Sequence, residues 1–205
     1  MDQNFKNIFD FLDITKDLKS TLRYVYLKTG RQESSAEHSW QLSFIVPIII
    51  NYLKLDLDVN KAVNMAIVHD LPESITGDID AIRVANGEVT REKKEELENV
   101  AMIKLRNILP NSIGENIYNL WNEYRNGETE EAKFVKALDK LETTFQLLTA
   151  SNHWHHPYFI STYPDQAVRN FPQLLPLLKE IKIRLKEEFK KQGLTWKEES
   201  NYGLE

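Results

Sequence analysis

Apolar residues recur along this chain at intervals of three and four, the period of helices that turn one face inward. Phe5, Ile8, Phe9 and Leu12 form a first stripe. His38, Leu42, Ile45 and Ile49 share one face of a second helix whose other faces are also apolar, which predicts a central position. Pro47 inside it predicts a kink. Ala62, Val63, Ala66 and Ile67 mark a third helix, expected to end near Leu71 because Pro72 disfavours helical backbone in the residue before it. Leu97, Ala101, Leu105 and Ile108 mark a fourth. Ser112 followed by Glu115 has capping-box spacing and is expected to open a fifth, with Ile113, Ile117, Leu120 and Tyr124 inward. Phe134, Leu138, Leu141, Phe145 and Leu148 stripe a long sixth helix, and Leu174, Leu178, Ile181, Leu185 and Phe189 a last one over about 172–192. Strand alternation and internal repeats are absent from the pattern. It predicts an all-α fold, a single helical domain over 1–195, with 196–205 a disordered tail.

Two segments break the periodicity. Residues 72–90 carry Pro, Gly and several Asp and read as a loop with short helical turns. Residues 150–172 are aromatic and rich in His and Pro and read as a long loop, a feature that is often functional in a compact domain. The charged run 91–96 reads as a solvated helix start.

Composition narrows the function. The 205 residues carry 26 Lys and Arg against 31 Asp and Glu, a net charge of −5, which argues against an electrostatic grip on nucleic acid or an anionic membrane. Zero cysteine excludes disulfides, Cys-held zinc, iron–sulfur clusters and cysteine nucleophiles. The longest apolar run, 44–50, is far shorter than the roughly 20 residues that span a bilayer, and the first residues lack a signal-peptide pattern. A cytoplasmic setting is expected.

Three positions could carry chemistry. His69-Asp70 follows an apolar run, where both side chains lose hydration and need pairing, hydrogen bonds or a metal; a capping Asp beside a satisfied His is the plain alternative. Glu37-His38 opens an otherwise apolar helix, where a structural His is the plain alternative. Asp139, Glu142 and Gln146 form a polar strip on the long helix, readable as an exposed edge paired to Lys136 or Lys140. Together, two imidazoles and two carboxylates suit a divalent cation of borderline softness. Their spacing in sequence is too loose to prove it. His153-Trp154-His155-His156 could suggest a second metal site, but with no carboxylate nearby it reads as a surface loop lining a pocket or a dimer contact.

These residues, in this order, resemble the HD-domain metal-dependent phosphohydrolases, and specifically the YfbR-like 5′-deoxynucleotidases with their HD-domain-containing eukaryotic relatives. The resemblance rests on Glu33-Ser-Ser-Ala-Glu-His38-Ser, on His69-Asp-Leu-Pro-Glu73-Ser-Ile-Thr-Gly77-Asp78-Ile, on Leu120-Trp-Asn-Glu-Tyr124 and on Glu131 through Glu142, and covers about 20–150. It implies an HD-domain helical bundle that removes phosphate from deoxyribonucleoside 5′-monophosphates with one divalent ion, Mn, Co or Mg first, with Zn, Fe or Ni also able to serve. It implies that His38, His69, Asp70 and Asp139 hold the metal and that Glu73 is the catalytic acid or base. Arg23 would hold phosphate, Asp78 would contact the sugar, and Tyr24 and Glu142 would lie on the substrate. A homodimer is expected, with a nucleotide as partner and neither nucleic acid nor membrane.

Departures from the family bear on substrate. Tyr24 stands where Trp is usual, Asp80 and Ala81 follow the Gly-Asp turn, and the acidic segment usual after Glu142 becomes Thr-Thr-Phe-Gln-Leu-Leu. Competing readings are a phosphohydrolase acting on a nucleoside triphosphate or an alarmone, against which Ser74 counts, and a non-catalytic helical module stabilised by a metal.

Overall fold

The computed structural model describes residues 2–150 and 154–204. Helix α1 (Gln3–Thr15) starts at Asp2, whose carboxylate accepts from the Asn4 amide. After a 3₁₀ turn (Lys16–Lys19) the chain forms an antiparallel hairpin, β1 (Leu22–Tyr26) and β2 (Gln32–Ser34). The sequence pattern gave no strand here because β2 is too short to show alternation. The turn depends on Gly30, whose φ of +80° is costly for any residue with a Cβ.

Helix α2 (Ser35–Leu53) runs through Pro47 and is followed by α3 (Val59–Val68). The expected loop over 72–90 contains two short helices, α4 (Glu73–Thr76) and α5 (Ala81–Ala85). Helices α6 (Arg91–Ile108), α7 (Asn111–Asn126) and α8 (Glu130–Thr149) follow. The Ser112–Glu115 capping box does not form: α7 begins one residue earlier, behind Pro110, without a side-chain cap. The expected loop over 150–172 is also helical where described, as α9 (Pro157–Thr162) and α10 (Asp165–Asn170). Pro157 and Pro164 sit at the starts of these helices, where the absent N–H costs nothing. Helix α11 (Leu175–Lys191) closes the bundle.

Helix α8 lies at the centre, packed against α2, α3, α7, α10, α11 and β1. Phe134, Val135, Leu138 and Leu141 are buried, whereas Phe145 is exposed. Helix α2 was expected at the centre but buries only one face, through Leu42, Val46 and Ile50; Trp40, Phe44, Ile48 and Tyr52 point outward. Most of the stripe on α1 likewise faces away from the core. Phe5, Phe9 and Leu12 are exposed, and Phe11 with Ile8 and Ile14 packs toward Leu71 and Trp121. In α7 the buried anchor is Trp121, while Ile113 is exposed.

The segment after 195 does not hang free, as the sequence pattern suggested. Trp196 packs edge-on against Phe189, with ring centroids 5.1 Å apart. A 3₁₀ turn (Glu198–Asn201) lays the Ser200 carbonyl 3.1 Å from Lys182 Nζ. Gly203 approaches Leu178 so closely that a Cβ would lie 2.9 Å from Cδ2. Polar composition concealed this tail because its anchors are backbone carbonyls and two aromatic rings.

Candidate metal centre

Each of the four expected ligands is placed by a local device. A capping box opens α2: the Ser34 amide and hydroxyl both donate to Glu37, each at 2.9 Å, and the Glu37 amide donates back to Ser34 Oγ. Arg31 clamps the same carboxylate with two bonds of 2.6 and 3.1 Å. This fixes the first turn of α2 and holds His38 in the interior, fully buried. His69 follows α3 directly, and Asp70 lies in the turn before α4. Asp139 projects from the middle of α8.

These side chains converge. Ligand atoms of His38, His69 and Asp139 all lie within 4.8 Å of one another. Asp70 Oδ2 is 3.1 Å from His69 Nε2 and 3.9 Å from His38 Nε2. His38 Nε2 is 3.1 Å from Asp139 Oδ1. The exposed-edge reading of Asp139 fails: Asp139, Glu142 and Gln146 are all buried, and Lys140 Nζ reaches Asp139 Oδ2 at 2.8 Å.

The donor set fits a metal. His69 Nδ1 bonds the Ala66 carbonyl at 2.8 Å, which makes it the protonated nitrogen and leaves Nε2 as a lone pair facing the cluster. Among the described residues that buried Nε2 makes no hydrogen bond, though the Asp70 carboxylate lies 3.1 Å from it. His38 Nδ1 donates to Glu142 Oε2 at 2.5 Å, so its Nε2 also faces inward. Burial and Arg23 oppose protonation of His38, yet Glu142 and Asp139 outweigh them and raise it to about 10. A divalent ion at Nε2 would compete with a proton there. Burial favours neutral Asp70 and Asp139, but for Asp70 the His69, His38 and Arg23 side chains, and for Asp139 Lys140 and His38, hold each carboxyl below its usual range. Both stay anionic, as ligands require.

Above the cluster opens a cavity of about 420 Å³. Arg23, Asp70, Glu73, Asp78, Lys140 and Thr143 line its inner end. Arg23 comes from β1 and is oriented by three partners: Glu33 at 3.4 Å, Asp70 at 3.5 Å and Thr143 Oγ1 at 2.9 Å. Glu73, at the start of α4, is buried and accepts from Ser35 Oγ at 2.6 Å. Burial, with Asp70 and Asp78 close by, pushes its carboxyl well above the usual range. Burial also raises Asp78, against the pull of Arg23. Tyr24 is half-exposed on the cavity wall. Glu142 departs from expectation: it is absent from the cavity lining and accepts from His38 Nδ1, the ring nitrogen turned away from the cluster. His155 and His156 line the cavity's outer part, and His153 lies outside the described residues.

Other contributors were not legible as functional. Glu33 is buried beside Arg23, and burial lifts its carboxyl to about 7 against that cation's pull. Tyr124 donates to Asp139 Oδ2 at 3.0 Å, and Gln146 pins the hairpin by donating to the Tyr26 carbonyl at 2.9 Å. The sequence signal for Glu33 and Tyr124 is their place inside the motif segments, and for Gln146 its place on the polar strip of α8.

Comparison with known proteins agrees with this geometry. A model of the HD domain matches residues 15–176, and the chain belongs to the HD-domain family. Within it, the chain groups with the curated proteins named 5′-deoxynucleotidase HDDC2. The zebrafish protein (Danio rerio) is 32% identical over 85% of this chain and 86% of its own length. The human protein (Homo sapiens) is 29% identical over 86% and 85%. The crystal structure of a protein described as a predicted metal-dependent phosphohydrolase from Magnetospirillum magnetotacticum superposes with a TM-score of 0.79. It covers 95% of this chain and 97% of its own at 23% identity, a likeness of fold.

Proposed function

We propose that the protein is a metal-dependent phosphohydrolase that releases phosphate from deoxyribonucleoside 5′-monophosphates. The observation that carries this reading is the convergence of His38, His69, Asp70 and Asp139 beneath a cavity whose inner end also presents Arg23 and Glu73. The four ligands would hold the divalent ion, and their mixed imidazole and carboxylate character suits Mn, Co or Mg, with Zn, Fe or Ni able to serve. When bound, such an ion supplies Lewis acidity toward a phosphoryl oxygen and water.

The chain's own groups do the rest. Arg23, already oriented by Glu33 and Thr143, offers its guanidinium to two phosphate oxygens. Asp78 accepts from a sugar hydroxyl. As the water oxygen bonds to phosphorus and the bond to the 5′-oxygen breaks, Glu73 gives its proton to the departing oxygen. A proton from the attacking water restores Glu73, so the cycle closes on nucleoside and phosphate. A cytoplasmic setting, where nucleoside monophosphates are formed, goes with this reading, as does a homodimer. No helix among the described residues is long and apolar enough to cross a membrane.

The test is phosphate release from deoxy- and ribonucleoside 5′-monophosphates, triphosphates and an alarmone, with Mn, Co or Mg and with chelator. Release from the deoxynucleoside monophosphates, lost with chelator and restored by metal, is the expected result. Release only from triphosphates or the alarmone would move the substrate class. No release from a metal-loaded protein would leave a structural module.

A further inference from the structure

The cavity is larger than the chemistry at its inner end requires. A phosphate would fill only the part beside Arg23 and Lys140, whereas about 420 Å³ falls within the roughly 300–1,000 Å³ of pockets that enclose whole organic ligands. Besides polar residues on and around α5, such as Asp80, Arg83 and Asn86, the cavity has an aromatic wall that the mechanism above does not use, and that wall comes from the segment that follows α8. Trp154, Phe159 and Tyr163 line it and are half-buried, and His155 and His156 line it and are exposed.

The wall is built, and it is continuous with the metal end. Trp154 Nε1 donates to the Leu147 carbonyl at 2.8 Å, and its ring packs on Phe189 with centroids 5.7 Å apart. Phe159 and Tyr163 lie one helical turn apart on α9 and just beyond it, with centroids 5.2 Å apart. Lys140 bridges the two ends, with Nζ 2.8 Å from Asp139 and 5.2 Å from the centre of the Tyr163 ring. A molecule with its phosphate at Arg23 would thus extend along an aromatic surface edged by two imidazoles.

We propose that the Trp154–Tyr163 segment is the base-side wall of the site. Trp154 and Phe159 would contact the planar face of a nucleobase, and His155 and His156 would hydrogen-bond its edge. Aromatic faces tolerate every base, while imidazoles at the edge discriminate among them, so the wall both favours nucleotides over simple sugar phosphates and ranks the bases. This rests on the phosphomonoesterase reading and adds which residues select the substrate.

The experiment compares kcat/KM for deoxynucleoside 5′-monophosphates with kcat/KM for 2-deoxyribose 5-phosphate, which has the phosphate and sugar but no base. The wild-type enzyme is expected to favour the nucleotides at least 10-fold. Phe159→Ala should bring that ratio close to one. The double variant His155→Ala/His156→Ala, altered only at exposed positions, should flatten the ranking of bases while metal content stays at the wild-type level. Gln166→Ala, exposed and outside the cavity, is the control for the ratio. A wild-type ratio near one, or a ratio and ranking unchanged in both wall variants, would overturn the proposal. Saturation-transfer NMR with free deoxynucleoside and with 2-deoxyribose reads the wall without turnover. Deoxynucleoside binding weakened by Phe159→Ala, in a protein that hydrolyses no monophosphate, would support the wall and sink the hydrolysis reading. Equal binding of the two probes would sink the wall.

Discussion

At Glu73, position and proton affinity coincide. It lies three residues past Asp70, buried, with Ser35 holding one oxygen, and burial together with the neighbouring carboxylates raises its proton affinity. If it is the proton donor, the active form is the protonated one, and kcat should decline as pH rises through its elevated pKa. Glu73→Gln cannot ionise, so it should retain metal, lose that alkaline limb and lower kcat by roughly 10²–10⁴-fold. Metal analysis and a pH–rate profile on one preparation check this; full kcat with bound metal would remove Glu73 from the mechanism. The residues around it were legible to unequal degrees. His38, His69, Asp70 and Asp139 stand inside distinctive local motifs. Thr143 on Arg23 and Glu142 on His38 act on partners 120 and 104 positions away, a pairing that no local pattern encodes.

The elements show the same division. Stripes of Leu, Ile and Phe locate the long helices, but α9, α10 and the closing 3₁₀ turn are short and owe their place to contacts. The chief of these is Lys182 on α11, fully buried, which pairs with Asp165 at 2.8 Å and also donates to the carbonyls of Ser161 and Ser200. One ammonium thus joins α9, α10 and the tail. Lys182→Met should lower unfolding free energy by about 3–5 kcal/mol, because Asp165 is left buried without its counter-charge. Pairing it with Asp165→Leu should recover part of the loss, since the unmatched carboxylate is gone. Urea denaturation of both variants checks this, and hydrogen exchange over 196–204 should rise in the single variant. Unchanged stability and exchange would mean that the packing of Trp196 and of Gly203 against Leu178 holds the tail without Lys182.

For the whole molecule, the open question posed by the surface is the outer face of α2. Trp40 and Phe44 stack with centroids 6.0 Å apart, and with Ile48 and Tyr52 they form an exposed row four residues apart along the helix. A continuous apolar row of this kind is costly in water and suits an isologous contact with a second copy of the chain. The proposed homodimer would use it. Sedimentation should give a dimer for the wild-type protein and a monomer for Phe44→Glu, with a wild-type melting temperature at dilute concentration. A wild-type monomer at all working concentrations would rule this interface out.

The sequence by itself determined the helical class and the long helices, because these depend on periodicity that neighbours in the chain already display; the four side chains proposed as ligands were legible through their place in the family's motifs. Tertiary structure alone decided which faces are buried. It put α8 rather than α2 at the centre, because burial depends on what packs against a helix and not on how apolar it is. It moved Glu142 behind His38, gave Arg23 its three partners and folded the tail onto Lys182. Each of these pairs residues far apart in the chain, and their energy comes from losing water together in a place that exists only once the helices have packed.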